Sequence, residues 1–334
     1  MEKLENKTLY SLKFIACMFI VFIHIPFPGG VGIAVKNFAR FAVPLFFMIS
    51  GYYTYFKDKQ ECNDVIYKRI IKLLKITICA CIFYILFNII FKLFFGRIDW
   101  YLEVICSWQN LYRLVLFNNT NWLEVVHLWY LFAILYVYLL FKAVNRFNLQ
   151  KMAYVYSAIA IVAVCFVLIY DLFNECNIDP MYYRNAYFLG LHFFMLGHFI
   201  HSKEDKIKKI FNNKDYLFII FCLFIIAIFI VENKYIWSSI ELYTSSVLSA
   251  SLMFCYAICH PNVSIFYEFG KNYSLIIYIV HCAFSKVIVK LIDLRPNSIE
   301  AYIYPLIILF LSLLTGVIYK KIILQFFLQK KLKE

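Results

Sequence analysis

Charge is scarce in this chain. Only 16% of its 334 residues are Asp, Glu, Lys or Arg, where a soluble domain carries about 25%. Once the apolar runs are assigned, no stretch remains to build a separate soluble catalytic or readout domain. Metal-ligand spacing is missing too. The 11 cysteines form no paired metal motif, and Cys79 and Cys81, two apart in an apolar run, suit a buried helix better than a zinc site. The first apolar run ends at His24-Ile25-Pro26 with no small-residue cleavage site and contains Lys13 and His24. It is therefore expected to be a retained helix and not a signal peptide. There is no internal repeat, so nothing points to the duplicated halves of many transporters.

What is present is apolar. Hydrophobic residues make up 63% of the chain and aromatic residues 20%, against roughly 45–50% apolar in a soluble domain. They fall in blocks long enough to cross a bilayer, which takes ~20 residues each. The blocks are continuously apolar and do not alternate, so each satisfies its own backbone hydrogen bonds as a helix and not as a barrel strand. The expected fold is all-α: one membrane-embedded bundle of about ten transmembrane helices over residues 1–334. The runs are Leu9–Ile25, Phe38–Phe56, Ile71–Phe95, Glu124–Phe141, Met152–Tyr170, Asn185–Ile200, Tyr216–Val231, Trp237–Cys259, Ser274–Ile292 and Tyr302–Leu324. The apolar segment Leu111–Phe117 is too short to span and suits a re-entrant or interfacial position. Cys106 and Cys176 fall in predicted outer loops and are candidates for a disulfide, although sequence does not fix their distance.

The net charge of +13 would suggest nucleic acid in a soluble protein. Here the basic residues cluster at the ends of apolar runs, and membrane topology accounts for them. Lys57 to Lys75 follow the second run, Lys142, Arg146 and Lys151 the fourth, Lys203 to Lys214 the sixth, and Lys320 to Lys333 close the chain. With ten helices these four clusters share one side. Positive-inside bias then places both termini in the cytoplasm of a cell (plasma) membrane protein. Lys286, Lys290 and Arg295 fit this arrangement poorly.

Two ionisable residues stand inside the first run. Lys13 and His24 are 11 residues apart, ~1,100° of helical rotation, so they share one face with roughly 16 Å between them along the axis. Ionisable groups within a membrane usually face a bundle interior or a wet cavity. A lysine snorkelling to headgroups and a histidine at the outer interface would show the same spacing. In the second run Pro44 frees a backbone carbonyl, and Ser50-Gly51 permits close helix approach, which ordinary packing also uses. His192 and His198 are ~600° apart and make poor metal partners. His201 and His260 sit at cytoplasmic ends, where solvation is the simpler expectation. Glu124 and Glu241 open apolar runs on the outer side, where they could orient a histidine or simply end a helix.

Leu12-Lys13-Phe14-Ile15-Ala16 through His24, followed by Val43-Pro44-Leu45-Phe46-Phe47 and Ser50-Gly51-Tyr52, resembles the bacterial acyltransferase-3 family of integral membrane O-acyltransferases. That family carries a basic residue, ten residues, then His in its first helix, as Lys13 and His24 do. Ser11 stands where the family often has an acid. Arg69-Ile70-Ile71-Lys72 is similar to the family's basic R-x-x-R pair. His127-Leu128-Trp129-Tyr130 resembles its His-Leu-Trp-aromatic helix, and Arg184-Asn185 with Gly190 and Gly197 its Arg-Asn-glycine segment. Ser274-Leu275 with Tyr278 and His281 resembles its late Tyr-x-x-His helix.

The resemblance implies transfer of an acyl group, usually acetyl, from a cytoplasmic acyl-CoA to a hydroxyl of a cell-surface carbohydrate, glycolipid or related acceptor. No cofactor is expected to stay bound; acetyl-CoA or another acyl-CoA is a co-substrate, and the chemistry needs no metal. The implied catalytic base is His24, because imidazole titrates near neutrality. Lys13, Arg69 and Lys72 are the implied donor-binding cations, suited to phosphate. Ser50, Arg184, Tyr278 and His281 are further candidates. The partners expected are acyl-CoA, the acceptor and the lipid bilayer, with no nucleic acid; the oligomeric state and the acceptor stay open. The rival reading is a transporter-like domain of the kind fused to amino-acid racemases, with His24, Arg184 and His281 lining a wet path. A sensor is a further alternative, and it lacks a readout domain. Acetyl-CoA turnover by purified protein separates enzyme from carrier.

Overall fold

The computed structural model describes residues 5–331 apart from 97, 106, 175–177, 236–240, 293, 294, 296 and 297. Cys106 and Cys176 lie outside the described residues. Among the described residues there is no strand. The α-helices, in chain order, are α1 (Lys7–His24), α2 (Gly29–Phe38), α3 (Ala42–Tyr52), α4 (Lys59–Phe95), α5 (Ile98–Ile105), α6 (Trp108–Phe117), α7 (Trp129–Arg146), α8 (Gln150–Asn174), α9 (Leu191–Ser202), α10 (Glu204–Phe211), α11 (Asp215–Tyr235), α12 (Thr244–Cys259), α13 (Tyr267–Asn272), α14 (Ser274–Leu291) and α15 (Ile299–Lys331).

Seven helical segments of the described residues are long and apolar enough to cross a membrane: Lys7–His24, Gly29–Tyr52, Lys59–Phe95, Gln150–Tyr170, Asp215–Lys234, Ser274–Leu291 and Ile299–Ile322. The second expected run begins earlier than its apolar content suggests, because α2 passes into α3 through a 3-10 turn, Ala39–Phe41. The other expected runs coincide with α7, α9 and α12. α9 and α12 are short, and α7 is rich in tyrosine and carries Lys142 and Arg146. These helices bury much of their surface in protein, so they do not need the uniform apolarity of a lipid-facing span. The segments in α8 and α11 are the opposite case. They are mostly exposed and strongly apolar, the surface that lipid would cover. The short α6 buries no residue and exposes Leu111, Tyr112, Val115 and Leu116, as an interfacial helix would.

The chain divides into two compact units. The terminal unit comprises Met1–Val43, Phe211–Ser239 and Ser245–Glu334; the central unit comprises Pro44–Ile210 and Ile240–Thr244.

In the terminal unit α1 packs on α13, α14 and α15. Asn6 starts α1: its Oδ1 accepts from the Leu9 amide at 2.9 Å, meeting one of the unpaired donors of a first turn. The same side chain donates to the Ala257 carbonyl at 2.7 Å and so ties α1 to α12. Thr8 donates to the His260 carbonyl and accepts from the Val263 amide. Gly270 lets α13 approach closely, since a Cβ there would stand 1.8 Å from the Tyr10 carbonyl oxygen. At the aqueous edge Glu5 accepts from Lys271 Nζ at 2.7 Å and from the Tyr267 hydroxyl. These bonds, the lysine's first, hold the Glu5 carboxyl below its usual range, and Glu5 in turn raises Lys271.

In the central unit α4 packs on α7, and α8 on α9. Asp58 caps α4 through the Glu61 amide at 2.8 Å, and the helix then runs 37 residues, ~55 Å at ~1.5 Å per residue. That exceeds a hydrocarbon core of ~30 Å, so its basic first turns extend beyond one. α3 crosses α9 at close range. A Cβ on Gly51 would lie 1.9 Å from the Phe194 carbonyl oxygen, and one on Gly197 2.0 Å from that of Met48. The small residues of Ser50-Gly51 thus serve the close approach expected of them. Lys59 Nζ reaches the Arg146 carbonyl at 3.1 Å, and the Tyr52 hydroxyl reaches Glu204 at 2.9 Å. The end of α3, the start of α4, the end of α7 and the α9–α10 junction therefore share one end of this unit, and with them three of the basic clusters.

Candidate active site

In the terminal unit α1 is unbroken from Lys13 to His24, so the shared face expected from their spacing applies. Both side chains are half-buried. Lys13 Nζ lies 5.9 Å from the centre of the Tyr10 ring, inside cation–π range. His24 ends the helix, and its ring centre stands 5.5 Å from that of His281 on α14. One observation explains how these two residues, far apart in sequence, come together. Cys17 Sγ donates to the Ser274 carbonyl at 3.2 Å. His24 is seven residues beyond Cys17, and His281 seven beyond Ser274. Seven residues is close to two turns, so the two helices run parallel and meet on the same faces twice.

His281 is fully buried, and its Nδ1 donates to the Ile277 carbonyl at 3.0 Å. A carbonyl oxygen only accepts, so Nδ1 carries the proton and the Nε2 lone pair is the basic one. Tyr278 is buried one turn earlier, its ring centre 6.4 Å from that of His281. Ser11, at the position where the family often has an acid, is buried and donates to the carbonyls of Lys7 and Val263, each at 3.1 Å. A carboxylate has no proton to give two carbonyl oxygens, which accounts physically for a hydroxyl here.

In the central unit Arg69 is half-buried and heavily bonded. Its Nη1 donates to Thr54 Oγ1 at 2.8 Å, to the Tyr138 hydroxyl at 3.2 Å and to the Ser50 carbonyl at 3.4 Å; Nη2 donates to the Tyr53 carbonyl at 2.9 Å. The guanidinium therefore closes the C-terminal end of α3, where carbonyls lack helical partners. Lys72, one turn on, is exposed. Ser50 donates to the Phe46 carbonyl at 3.0 Å. Arg184 pairs with Glu241 at 3.5 Å and lies 5.9 Å from the Trp129 ring centre, while Glu124 pairs with Lys92 at 2.9 Å. Both acids are thus charge partners of basic residues. Of the candidate site residues, the fold unites His24, Tyr278 and His281 in one unit with Lys13 on the same helix, and carries Ser50, Arg69, Lys72 and Arg184 in the other.

The remaining histidines are built into packing. His127 is buried against Tyr84, ring centres 5.5 Å apart. His198 bonds Tyr154 at 2.7 Å and His192 bonds Ser157 at 3.3 Å, so both reach α8 despite their different helical faces. His201 is not simply solvated: its Nδ1 bonds the Tyr52 carbonyl at 2.6 Å beside Glu204. His260 pairs with Asp215 at 3.2 Å.

Seven apolar spanning segments with histidine, tyrosine and lysine set into them define a multi-pass membrane protein. A family model described as an acyltransferase domain, acyltransferase-3, matches residues 7–320, and the chain belongs to that family of membrane acyltransferases. No curated protein and no solved structure matches it.

Proposed function

We propose that the protein moves an acyl group, acetyl in the simplest case, from a cytoplasmic acyl-CoA to a hydroxyl of a cell-surface carbohydrate or glycolipid. His24 is the general base. The observation that carries this reading is the pairing of His24 with His281 at the end of α1, 5.5 Å between ring centres. Transfer requires a base for the acceptor proton and an acid for the leaving sulfur. A neutral His24 takes the hydroxyl proton as the oxygen attacks the thioester carbonyl. When the tetrahedral intermediate collapses, the C–S bond breaks and the imidazolium protonates the departing thiolate. The products are the O-acyl ester and free CoA. His281, fixed by the Ile277 carbonyl, and Tyr278 hold polar atoms beside the reacting groups.

The donor's phosphates call for cations. Lys72, which is exposed, is more available for this than Arg69, most of whose donors close α3; Lys13 is the further donor-binding candidate. The basic clusters gathered at one end of the central unit support a cytoplasmic donor, and the charge bias of the sequence supports cytoplasmic termini in a plasma membrane. Purified protein in lipid nanodiscs supplied with acetyl-CoA tests the reading: CoA release with acetyl appearing on a hydroxyl acceptor is expected. Intact acetyl-CoA with every hydroxylated lipid and sugar offered would contradict it.

A further inference from the structure

A basic turn joins α7 to α8 in the central unit. Lys142, Arg146 and Lys151 stand on or beside it, all three exposed. No acidic residue occurs between Glu124 and Asp171 to offset them along the chain. Asn148 takes the left-handed conformation there, φ 57°, which asparagine tolerates better than most residues, and the Leu149 amide closes back on the Val144 carbonyl at 2.9 Å. Lys59, at the start of α4, adds another cation. Its Nζ donates to the Arg146 carbonyl at 3.1 Å and to Asn148 Oδ1 at 3.0 Å, and an ammonium has a third donor to give. Buried Asn145 ties the turn to both neighbours: it donates to Asn63 Oδ1 at 3.0 Å and accepts from Gln150 Nε2 at 2.9 Å. The first turns of α4 bring no excess of either sign, since Lys57, Lys59 and Lys68 match Asp58, Glu61 and Asp64. Asp58 is engaged by the Glu61 amide at 2.8 Å and Asp64 by Gln60 Nε2 at 3.2 Å. The surplus positive charge therefore belongs to the α7–α8 turn.

Apolar side chains are interleaved with these cations. Phe147 is 65% exposed and Met152 70%, and the Arg146 guanidinium lies 5.8 Å from the centre of the Phe147 ring. From Met152 an apolar lane continues along α8 through Val155, Ile159, Val162 and Phe166, each more than half exposed. Steps of three and four residues keep these side chains on one helical face. The spanning part of α8 starts at Gln150, so the turn before it stands where hydrocarbon gives way to headgroups. Bare apolar groups are costly in water and bare cations in hydrocarbon. Both are accommodated at that level, where lysine and arginine stems lie along apolar surface with their charges in the polar layer.

We infer that the α7–α8 turn binds an anionic phospholipid: Lys59, Arg146 and Lys151 meet the headgroup phosphate, and an acyl chain lies along the lane from Met152 to Phe166. Arginine grips phosphate through paired N–H donors and lysine through its point charge. A zwitterionic headgroup brings its own cation into the same positive field, so the net anionic lipid is preferred. A soluble phosphate has no chain to cover the lane. Such a site is independent of acyl transfer, because it needs only that this end of the central unit meets a leaflet.

The test titrates full-length protein in detergent with dioleoyl phosphatidylglycerol or dioleoyl phosphatidylcholine, and native mass spectrometry counts the bound lipid. The first phosphatidylglycerol should bind at least ~tenfold more tightly than the first phosphatidylcholine, as two headgroup-level cations would give. Arg146→Gln with Lys151→Gln should remove that preference. Both side chains are exposed, so phosphatidylcholine binding and the melting temperature should stay at wild-type values. Lys206→Gln with Lys209→Gln takes the same charge from α10 at the same end of the unit and should leave the preference in place. Glycerol phosphate in molar excess should not displace the lipid. Equal affinity for the two lipids overturns the site, as does an Arg146→Gln/Lys151→Gln variant that keeps the preference. Equal losses in the two double variants would reduce the binding to diffuse charge, and displacement by glycerol phosphate would make it a soluble-anion site; either result also overturns it. So does a wild-type dimer that persists in phosphatidylglycerol and is lost in Arg146→Gln/Lys151→Gln, since a second copy would then cover the turn.

Discussion

Arg69 and Lys72 look alike in sequence, two cations one turn apart on α4, and the structure gives them different work. The guanidinium of Arg69 is fixed by the Ser50 and Tyr53 carbonyls, Thr54 and Tyr138, while Lys72 projects from the surface. Arg69→Ala should therefore lower the melting temperature, because it takes this donor from the Tyr53 carbonyl and from the Thr54 and Tyr138 hydroxyls. Lys72→Ala should leave melting alone and weaken acyl-CoA binding, and its difference from wild type should shrink as salt rises and screens the contact. Thermal unfolding and donor titration at two ionic strengths read these effects separately. If Lys72→Ala binds acyl-CoA as wild type does at low salt, the phosphate assignment for Lys72 falls. The same contrast shows what residue-level reading of a sequence can reach. Lys13 and His24 were legible because eleven residues on one helix fix their relation. Arg69's commitment to α3 was not, since it depends on where another helix ends.

At the scale of elements, most helices were legible as apolar runs, and the departures have physical causes. α7, α9 and α12 are sheltered by protein and so carry tyrosine, histidine and serine that a lipid-facing span would exclude. The π-turn over Ala186–Gly190 and the Asn118 loop left almost no trace, because asparagines in a loop read as turn formers until Ala186, 68 residues on, is brought beside them. Packing between α3 and α9 was half legible: Gly51 and Gly197 stood out, their mutual fit did not. Gly51→Ala or Gly197→Ala puts a methyl within 2.0 Å of a carbonyl oxygen. Overpacking of this sort typically costs about 1–3 kcal/mol, so each variant should melt lower in detergent, and Gly30→Ala, with open space around it, should not. The foot of α1 carries a pH dependence. Glu5's depressed pKa stabilises the fold above the ordinary carboxylate value, about 4.3, and that contribution is lost as pH falls through the lower folded value. Lys271's raised pKa contributes below the ordinary lysine value and is lost only as pH rises through the higher folded one. The anchor is thus intact at neutrality and opens in acid. Hydrogen exchange at the first turn of α1, corrected for intrinsic rates, should accelerate in wild type as pH falls below the ordinary carboxylate range and be pH-independent in Glu5→Gln.

For the whole molecule, the all-α membrane fold and the acyltransferase family were both readable from the sequence, the first from continuous apolar runs and the second from ordered motifs between Lys13 and His281. The division into two units was not, because it cuts through the continuous helical segment Gly29–Tyr52 and no change of composition marks the cut. Orientation is the prediction that belongs to this scale. Three basic clusters share one end of the central unit, so reporters fused at Lys57, Asn148 and Lys206 should all report the cytoplasm, and one outside signal among them would break the positive-inside assignment.

The claim on which the rest depends is that His24 is the base, with His281 beside it. His24→Gln keeps polarity and approximate size and removes basicity. Acetyl transfer from labelled acetyl-CoA, measured on the purified variant in nanodiscs of native lipid, should fall ~10²–10⁴-fold, while acetyl-CoA affinity and melting temperature stay at wild-type values. Transfer at near the wild-type rate would show that His24 is a packing histidine and that the proton moves elsewhere.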